Sequence, residues 1–355
     1  MVKMVTGIPS RAVPPATSTS RWRAMAGWKK AAISLLLLLA VLCAGLVAVG
    51  FGLKHRYEGR VQREDILGQG TGAHDDRRWE SGPLNLLLLG SDSRDGEPDQ
   101  GLYPGQRSDT IMLVHVNAAR DGATVVSIPR DSYVEVPAAG QTWAGGLNKI
   151  NAAFAFGGAA LAAETVAKLT GLPLDGVLVA NFAAVRKLVD AVEGINVCLP
   201  YTVKSSDTGV TWPTGCHDLD GKAADDLMRQ RHGVPGGDFG RIYDQQLVVR
   251  ALAERVTATS LLTSPTRLDR VLTTAAESLV VDRDLNLADL ALVLRKVKPE
   301  TVQFVTVPFS DANLQTPAGS AVRLDEARAP ALFAALREDR VAQWLTANPQ
   351  TPPAN

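Results

Sequence analysis

The chain has 355 residues, its 37 lysines and arginines balance 37 aspartates and glutamates, and 46% of its residues are hydrophobic. This composition excludes a mostly disordered chain, because it supplies enough apolar side chains for a full core. A net charge of zero also argues against a general nucleic-acid binder, which needs a basic face.

Residues 31–53 are the first distinctive segment, a run of 23 residues without a charged side chain. At about 1.5 Å per helical residue the run reaches roughly 34 Å, against a bilayer hydrocarbon core of about 30 Å. It is longer than a signal-peptide core of about 7–15 residues, and no clear cleavage site follows it. We therefore predict an uncleaved transmembrane helix, with a cleaved signal or a buried core helix as the alternatives.

The charges on either side of this segment predict how the chain is oriented. Residues 1–30 carry six lysines or arginines and no acidic residue, which favours a cytoplasmic tail. Residues 54–82 balance both signs and read as a juxtamembrane spacer. Residues 83–355 then hold a net charge of −6, so we predict a single-pass cell-membrane protein with a slightly acidic extracytoplasmic domain. Such a domain suits a discrete anion pocket and no nucleic acid.

Short apolar or β-branched runs bounded by Gly, Asp or Pro predict buried strands at residues 84–89, 110–116, 123–128, 176–180 and 302–307. Helical periodicity predicts helices between them, over residues 182–192 before Gly194 and over residues 287–294 before Pro299. Strands alternating with helices predict an α/β sandwich around a central mixed sheet. We place the main domain at residues 83–310 and a C-terminal helical extension and tail at residues 311–355.

Polar clusters occur where three of these strands begin or end. Each cluster combines a carboxylate with an arginine: Asp92 with Arg94, Arg107 with Asp109, and Arg130 with Asp131. Ligands of α/β proteins collect beside strand ends, and an antiparallel neighbour would bring the second cluster to the edge shared by the others. Taken singly, such aspartates are more typical of turns and caps, and such arginines of surface ion pairs. Together, carboxylates and phosphate oxygens suit Mg²⁺.

A second arginine-rich segment follows at residues 229–245. Guanidinium groups match phosphate oxygens and stay charged, so Arg229, Arg231 and Arg241 suit an anionic ligand. The first two face the same way only in an extended chain, which predicts that a helix ends near residue 228. Arg241 and Gln245 have same-face helical spacing. Asp238 either caps this second helix or positions the arginines.

Two of the three cysteines, Cys198 and Cys216, fall in the predicted extracytoplasmic part, whereas Cys43 lies in the predicted membrane helix. Oxidising conditions outside the cytoplasm favour a disulfide between Cys198 and Cys216, and the alternative is two free thiols. The spacing of cysteines and histidines does not suit a zinc site.

Six motifs, read in order, resemble the LytR-CpsA-Psr family: Gly90-Ser-Asp-Ser-Arg94, Arg107-Ser-Asp-Thr110, Ser127-Ile-Pro-Arg-Asp-Ser132, Lys149-Ile-Asn-Ala-Ala-Phe-Ala-Phe-Gly-Gly158, Leu219-Asp-Gly-Lys-Ala223, and Arg229-x-Arg231 through Gly237-Asp-Phe-Gly-Arg241. The resemblance is dense from about residue 86 to 246 and looser to about 308. The short tail and single anchor also resemble that family, and the two exported cysteines are similar to its actinobacterial branch.

This resemblance implies a three-layer α/β/α domain that transfers a glycopolymer from a polyprenyl-pyrophosphate lipid onto a peptidoglycan hydroxyl. By match, Mg²⁺ (or Mn²⁺) would be held by Asp92 and Asp109, which with Arg130, Arg229 and Arg231 form the implied catalytic set. Pyrophosphate contacts are expected from Arg94, Arg107, Arg130, Arg229, Arg231, Arg241 and Gln245, with Asp131 and Asp238 as positioning residues. Asp244 is a departure, because the family often has arginine there.

Some choices stay open at this point. The general base is Asp92 or Asp131. A lipid-pyrophosphate hydrolase would need the same residues with water as the acceptor. A non-enzymatic sensor or transcriptional attenuator is disfavoured, because the predicted cytoplasmic tail of about 30 residues has no helix-turn-helix pattern. The lipid needs an apolar slot, for which residues 161–172 and 182–192 are candidates, although their periodicity is equally typical of core helices.

Overall fold

The computed structural model describes residues 59–68, 79, 81–91, 108–258 and 264–349. The predicted tail and membrane helix lie outside these residues, as does most of the predicted spacer. Three of the predicted site residues, Asp92, Arg94 and Arg107, also lie outside them.

A seven-stranded mixed sheet forms the centre of the described chain, in the order β1-β12-β7-β2-β3-β4-β13. Its strands are β1 Gln62–Glu64, β2 Leu84–Ser91, β3 Ser108–Val116, β4 Ala123–Ser127, β7 Gly176–Asn181, β12 Leu279–Asp282 and β13 Val302–Thr306. Strand β2 is parallel to β7 and antiparallel to β3, and β4 is antiparallel to β3 and parallel to β13. All five predicted strands lie in this sheet, which confirms the mixed α/β class.

The helices are α1 Ile150–Thr170, α2 Phe182–Ala191, α3 Gly221–Arg229, α4 Asp238–Thr257, α5 Pro265–Ser278, α6 Leu287–Leu294, α7 Arg328–Arg337 and α8 Val341–Ala347. Side chains of β2 alternate between two apolar clusters, as a strand buried on both faces requires. Leu87 and Leu89 pack with α1, α7 and α8, whereas Leu84 and Leu86 pack in clusters that include residues of α5 and α6. The sheet is therefore covered by helices on both faces.

Four two-stranded pairs complete the fold. They are β5 Tyr133–Val136 with β6 Gly146–Lys149, β8 Ile195–Leu199 with β11 Gly215–Leu219, β9 Val203–Lys204 with β10 Thr211–Trp212, and β14 Phe309–Thr316 with β15 Gly319–Leu324. The structure joins Cys198 to Cys216, which lie directly opposite each other in β8 and β11. The β8–β11 strand pair packs in a separate apolar cluster with α2, α3 and α4.

The C-terminal residues belong to the same core as α1. Leu332 and Leu336 of α7 are fully buried, and Val341 and Leu345 of α8 pack in the same cluster. The predicted extension at residues 311–355 therefore contributes a hairpin and two packed helices to the main domain.

Helix α1 is broken at Gly157 and Gly158, whose backbone angles are not helical. Gly158 has a φ of 64° and ψ of −156°, a conformation that side chains with a Cβ avoid. Helix α1 is also long and apolar enough to cross a membrane by length and composition, but Ile150, Phe154 and Val166 are fully buried within the domain. It is accordingly a core helix whose first half starts beside the polar cluster described next.

Candidate active site: an arginine–aspartate cluster

The sheet topology gathers the predicted loops at one edge. Ser91 at the end of β2 pairs with Ser108 at the start of β3, and Met112 of β3 pairs with Ser127 at the end of β4. Because β3 is antiparallel to both neighbours, its start lies beside their ends. Asp109, Arg130 and Asp131 therefore lie at a common edge of the sheet.

Asp109 is the centre of the cluster. Its Oδ1 accepts a hydrogen bond from Arg130, and its Oδ2 accepts one from Arg231 at 2.9 Å. Arg241 Nη1 lies 3.6 Å from the same Oδ2. Burial alone would raise the pKa of Asp109, but Arg130 and Arg241 outweigh it and hold the pKa below its ordinary value. Asp109 is thus an ionised carboxylate that draws three arginines together.

Asp238 is a second carboxylate for the same arginines. Its Oδ1 lies 2.8 Å from Arg241 Nη2, 3.5 Å from Arg130 Nε and 4.0 Å from Arg231 Nε. The N-cap of α4 is Gly237, and no side-chain capping hydrogen bond is formed there. Of the two interpretations left open by the sequence, the geometry favours a residue that positions arginines.

Arg241 is the most unusual member of the cluster. Its side chain is 1% exposed, and this burial lowers its pKa to about 10. Within the described residues, its Nε and Nη2 make no hydrogen bond, although Nη2 lies close to Asp238, and the same holds for Arg130 Nε. A buried donor without an acceptor costs about 1–3 kcal/mol. Arg241 Nη2 and Arg130 Nε still lie within ion-pair distance of Asp238 Oδ1, so Arg241 Nε is the donor that points to a further, anionic acceptor in the cluster.

Glycines allow α4 to begin beside the cluster. Gly236 and Gly237 have φ angles of 71° and 60°, in the left-handed region that glycine tolerates best. A Cβ on Gly240 would clash with the carbonyl oxygen of Pro235. The Gly- and Pro-containing residues 233–237 thus form the turn that carries Asp238 and Arg241 to the sheet edge.

Arg229 and Gln245 are held by other partners. Arg229, the last residue of α3, donates to Asp225 at 2.6 Å, and its guanidinium lies 4.2 Å above the centre of the Phe182 ring. Gln245 is 1% exposed, and its side chain accepts from Thr110 Oγ1 at 3.0 Å and donates to Met228 O at 3.4 Å. The structure thus brings Arg130, Arg231 and Arg241 around one carboxylate, while these two residues border the cluster. The predicted end of α3 near residue 228 agrees with its end at Arg229.

Lys149 is a member of the cluster to which the sequence assigned no role. Its Nζ lies 3.5 Å from Asp131 Oδ1, and Asp131 Oδ2 lies 3.6 Å from Arg130 Nε. The backbone reinforces this contact, because Asn151 N donates to Arg130 O at 3.0 Å. A lysine immediately before an apolar helix was the available signal.

The predicted Mg²⁺ ligands are only partly represented. Asp109 has both carboxylate oxygens committed to arginines, and its predicted partner Asp92 lies outside the described residues. The described residues contain no group of three or more His, Cys, Asp or Glu side chains suited to a metal ion. The described donors therefore do not form a metal site on their own.

Gln230, which lies between Arg229 and Arg231 in the sequence, belongs to a different polar network. It is 1% exposed, and its Nε2 donates to Asp226 Oδ1 at 2.7 Å and to Ser205 Oγ at 3.2 Å. Its Oε1 accepts from the backbone and hydroxyl of Ser206 at 2.9 and 3.1 Å. Every polar atom of this amide is satisfied, so the network fixes the extended chain that presents Arg231.

Asp244 is buried on α4 close in sequence to the site residues. Its Oδ1 accepts from the Tyr201 hydroxyl at 2.9 Å, while its Oδ2 has no hydrogen bond within the described residues. Burial raises the pKa of Asp244 to about 7. The residue that departs from the family pattern is therefore a hydroxyl partner inside the domain.

Comparison with known proteins supports one family. The LytR_cpsA_psr family model matches residues 57–337. The chain is 34% identical over 265 residues to the probable cell wall biosynthesis protein LcpB of Corynebacterium glutamicum, covering 71% of this chain and 61% of LcpB. It is 34% identical over 227 residues to the polyisoprenyl-teichoic acid–peptidoglycan teichoic acid transferase TagU of Enterococcus faecalis, covering 62% of this chain and 70% of TagU.

The fold is also found among solved structures. The crystal structure of protein gbs0355 from Streptococcus agalactiae matches with a TM-score of 0.64 at 24% identity, covering 74% of this chain and 88% of that protein. This likeness concerns the fold alone, whereas the family match extends over most of the sequence motifs. With these matches and the arginine–aspartate cluster, the chain belongs to the LytR-CpsA-Psr family.

Proposed function

We propose that the protein is a cell-envelope phosphotransferase that moves a glycopolymer from a polyprenyl-pyrophosphate carrier onto a hydroxyl of peptidoglycan. The observation that carries this proposal is the buried guanidinium of Arg241, whose Nε has no hydrogen bond in the described residues and which shares Asp109 with Arg130 and Arg231. The relatives LcpB, a probable cell wall biosynthesis protein, and TagU, a teichoic acid transferase, support the same proposal.

The charge of this cluster suits an anionic ligand such as a diphosphate. Three guanidinium groups and Lys149 outnumber the carboxylates Asp109, Asp131 and Asp238, so the described cluster has one positive charge in excess. The burial of Arg241 strengthens its attraction to phosphate oxygens, because little water competes there. Donors already held in place favour the charge that develops on the leaving phosphate.

The proposed reaction is a substitution at the phosphorus that carries the glycan. The acceptor hydroxyl oxygen attacks this phosphorus, the bond to the bridging oxygen breaks, and polyprenyl monophosphate leaves. The hydroxyl proton passes to a carboxylate, for which Asp131 and Asp92 remain the candidates. Asp109 is poorly suited to this role, because both of its oxygens accept from arginines.

Mg²⁺ (or Mn²⁺) and membrane attachment are further parts of the proposal. When bound by Asp92 and Asp109, the ion would neutralise diphosphate charge. Binding of a prenyl diphosphate by calorimetry should depend on Mg²⁺ in the wild type and lose that dependence in Asp92→Asn. The anchor at residues 31–53 would hold the catalytic domain outside the cytoplasm, next to a lipid substrate, with no nucleic acid involved.

The full-length protein in lipid vesicles provides the direct test. With a radiolabelled glycan on polyprenyl diphosphate, we expect label on added peptidoglycan for the wild type and at least a hundredfold slower transfer for Arg231→Ala. Arg270→Ala, which removes an exposed arginine of α5 that pairs with Glu193, is the control and should transfer normally. Normal transfer by Arg231→Ala would sink the assignment. Label released as free sugar phosphate, with none on peptidoglycan, would favour the hydrolase.

A further inference from the structure

The β14–β15 hairpin borders the arginine–aspartate cluster along its length. At the base, the Phe309 ring stacks on Phe239, with ring centres 4.0 Å apart and planes 14° apart, and Phe239 directly follows Asp238. Further along, Val322 N donates to Asp131 O at 2.8 Å, and Val322 forms a parallel bridge with Ser132. The hairpin is thus bound to the loop that carries Asp131.

The tip of the hairpin reaches the other side of the cluster. A Cβ built on Gly319 would lie 3.9 Å from Lys149 Nζ, the atom that pairs with Asp131. The hairpin therefore runs from the neighbourhood of Asp238 at its base to Lys149 at its tip. Any group attached to an anion in the cluster, on this side, would lie against the hairpin.

One face of the hairpin carries neutral polar side chains. Gln315 lies opposite Ser320, and Asn313 is two residues away on the same strand face. All three are exposed, and Asn313 Oδ1 accepts from Ser320 Oγ at 2.5 Å and from Gln315 Nε2 at 3.2 Å. In the part of the chain that the structure describes, Asn313 Nδ2 and Gln315 Oε1 have no protein partner. A donor and an acceptor are consequently open to a ligand.

This chemistry matches a sugar better than a second anion. Amides and hydroxyls pair with sugar hydroxyls and acetamido groups in both directions. Phe309, which is 37% exposed, offers an aromatic surface for the apolar face of a sugar ring. Charge is concentrated in the arginine cluster, whereas Asn313, Gln315 and Ser320 of the hairpin are neutral and polar. A glycan linked through diphosphate presents charge and neutral polarity in the same order.

We propose that the β14–β15 hairpin binds the first sugars of the donor glycan, those attached directly to the diphosphate, through Asn313, Gln315 and Phe309. The inference rests on the proposed function, because it requires the diphosphate to lie at the arginine cluster. It assigns specificity for the glycan to a part of the chain where no sequence motif was recognised.

Two soluble probes separate the hairpin from the cluster: farnesyl diphosphate, and a short-chain prenyl diphosphate carrying N-acetylglucosamine. Binding is measured by calorimetry on the full chain in detergent. The wild type is expected to bind the sugar-bearing probe more tightly. The double variant Asn313→Ala and Gln315→Ala should bind that probe about tenfold more weakly, since two hydrogen bonds are lost, and farnesyl diphosphate unchanged. Gln343→Ala, an exposed amide of α8, is the matched control and should bind both normally.

Other outcomes overturn the inference. The inference is wrong if the wild type binds the two probes with equal affinity. It is also wrong if the double variant and Phe309→Ala both bind the two probes as tightly as the wild type does. If these variants bind both probes normally but transfer less glycan to peptidoglycan, the hairpin binds the acceptor instead, which also overturns the proposal. Arg231→Ala serves to test the cluster separately. If it binds both probes as the wild type does, the proposed function fails whatever the hairpin variants do.

Discussion

The arginine–aspartate cluster and the Gln230 network are neighbours with opposite hydrogen-bonding states. Gln230 and Arg241 are each 1% exposed, yet the amide of Gln230 has all of its polar atoms paired, whereas Arg241 has two buried donors without a hydrogen bond. Native proteins satisfy most buried polar groups, so an unsatisfied one requires a reason. The Gln230 network therefore has a structural role, whereas the arginine–aspartate cluster has a donor left for a ligand.

The two regions are also connected through the backbone. The bonds of Gln230 to Asp226 and Ser206 fix the residue between the two arginines. Arg229 then pairs with Asp225 on its own helix, while Arg231 reaches Asp109 across 122 positions of sequence. The Gln230 network, whose hydrogen bonds are all formed, thus orients Arg231 of the arginine–aspartate cluster.

The largest effect is expected from Arg241→Met, which removes the buried guanidinium and keeps an apolar side chain of similar length. Transfer activity should fall about a thousandfold, because an electrostatic donor to the diphosphate is lost. The free energy of unfolding should fall by less than the roughly 3–5 kcal/mol typical of breaking a buried ion pair, because Asp109 and Asp238 keep Arg130 and Arg231 as partners. Activity assays and urea unfolding measure the two quantities. A large loss of stability with intact transfer activity would mean that Arg241 holds the fold together and does not act on the diphosphate.

Asp244 is a third buried group to compare, because its carboxyl group can become neutral by taking up a proton. With a folded pKa of about 7 and an unfolded value near 3.8, the folded state keeps the proton between these values. The contribution of Asp244 to the free energy of unfolding should therefore be largest at low pH, fall by a few kcal/mol, roughly, as the pH rises from about 4 to 7, and level off above. Arg241, with a pKa of about 10, stays charged at neutral pH and cannot become neutral in this way.

The test is Asp244→Asn, with the pH dependence of urea unfolding as the readout. The variant should match the wild type near pH 4 and exceed its stability by a few kcal/mol, roughly, at pH 8. Equal stability of the two proteins at both pH values would contradict this explanation.

The smallest effect is expected from Gln230→Ala. The free energy of unfolding should fall by about 2 kcal/mol, because Asp226, Ser205 and Ser206 lose a buried partner. Transfer should slow only a few-fold at a temperature where the variant is folded, through a less ordered Arg231. Exposed Gln343→Ala is again the control in urea unfolding. A thousandfold slower transfer by a fully folded variant would place Gln230 in the cluster itself.

Much of the sheet followed from the sequence, because buried strands are continuous apolar runs. Residues 84–89 and 123–128 predicted β2 and β4 within a few residues of their ends. The β5–β6 and β14–β15 hairpins were missed, since most of their residues are exposed or half-buried and none forms a long apolar run. Secondary structure at the site rim was therefore harder to predict than the core.

The site was predicted by residue type better than by contact. Motif spacing identified Asp109, Arg130, Arg231 and Arg241, which lie together. It could not tell that Arg229 faces Asp225, because a salt bridge within one helix and a ligand contact use the same residue types. Lys149 needed the fold, since only the hairpin that ends at β6 brings its amine to Asp131.

The break in α1 at Gly157 and Gly158 lets the two halves of that helix run in different directions. The later half is tied to the sheet through Val166 and its apolar neighbours. The earlier half begins at Ile150, directly after Lys149, and its direction is set by backbone bonds to Arg130 and Ser132. The position of Lys149 beside Asp131 is therefore set at the sheet edge, whereas the direction of the helix beyond the break is set by packing against the sheet.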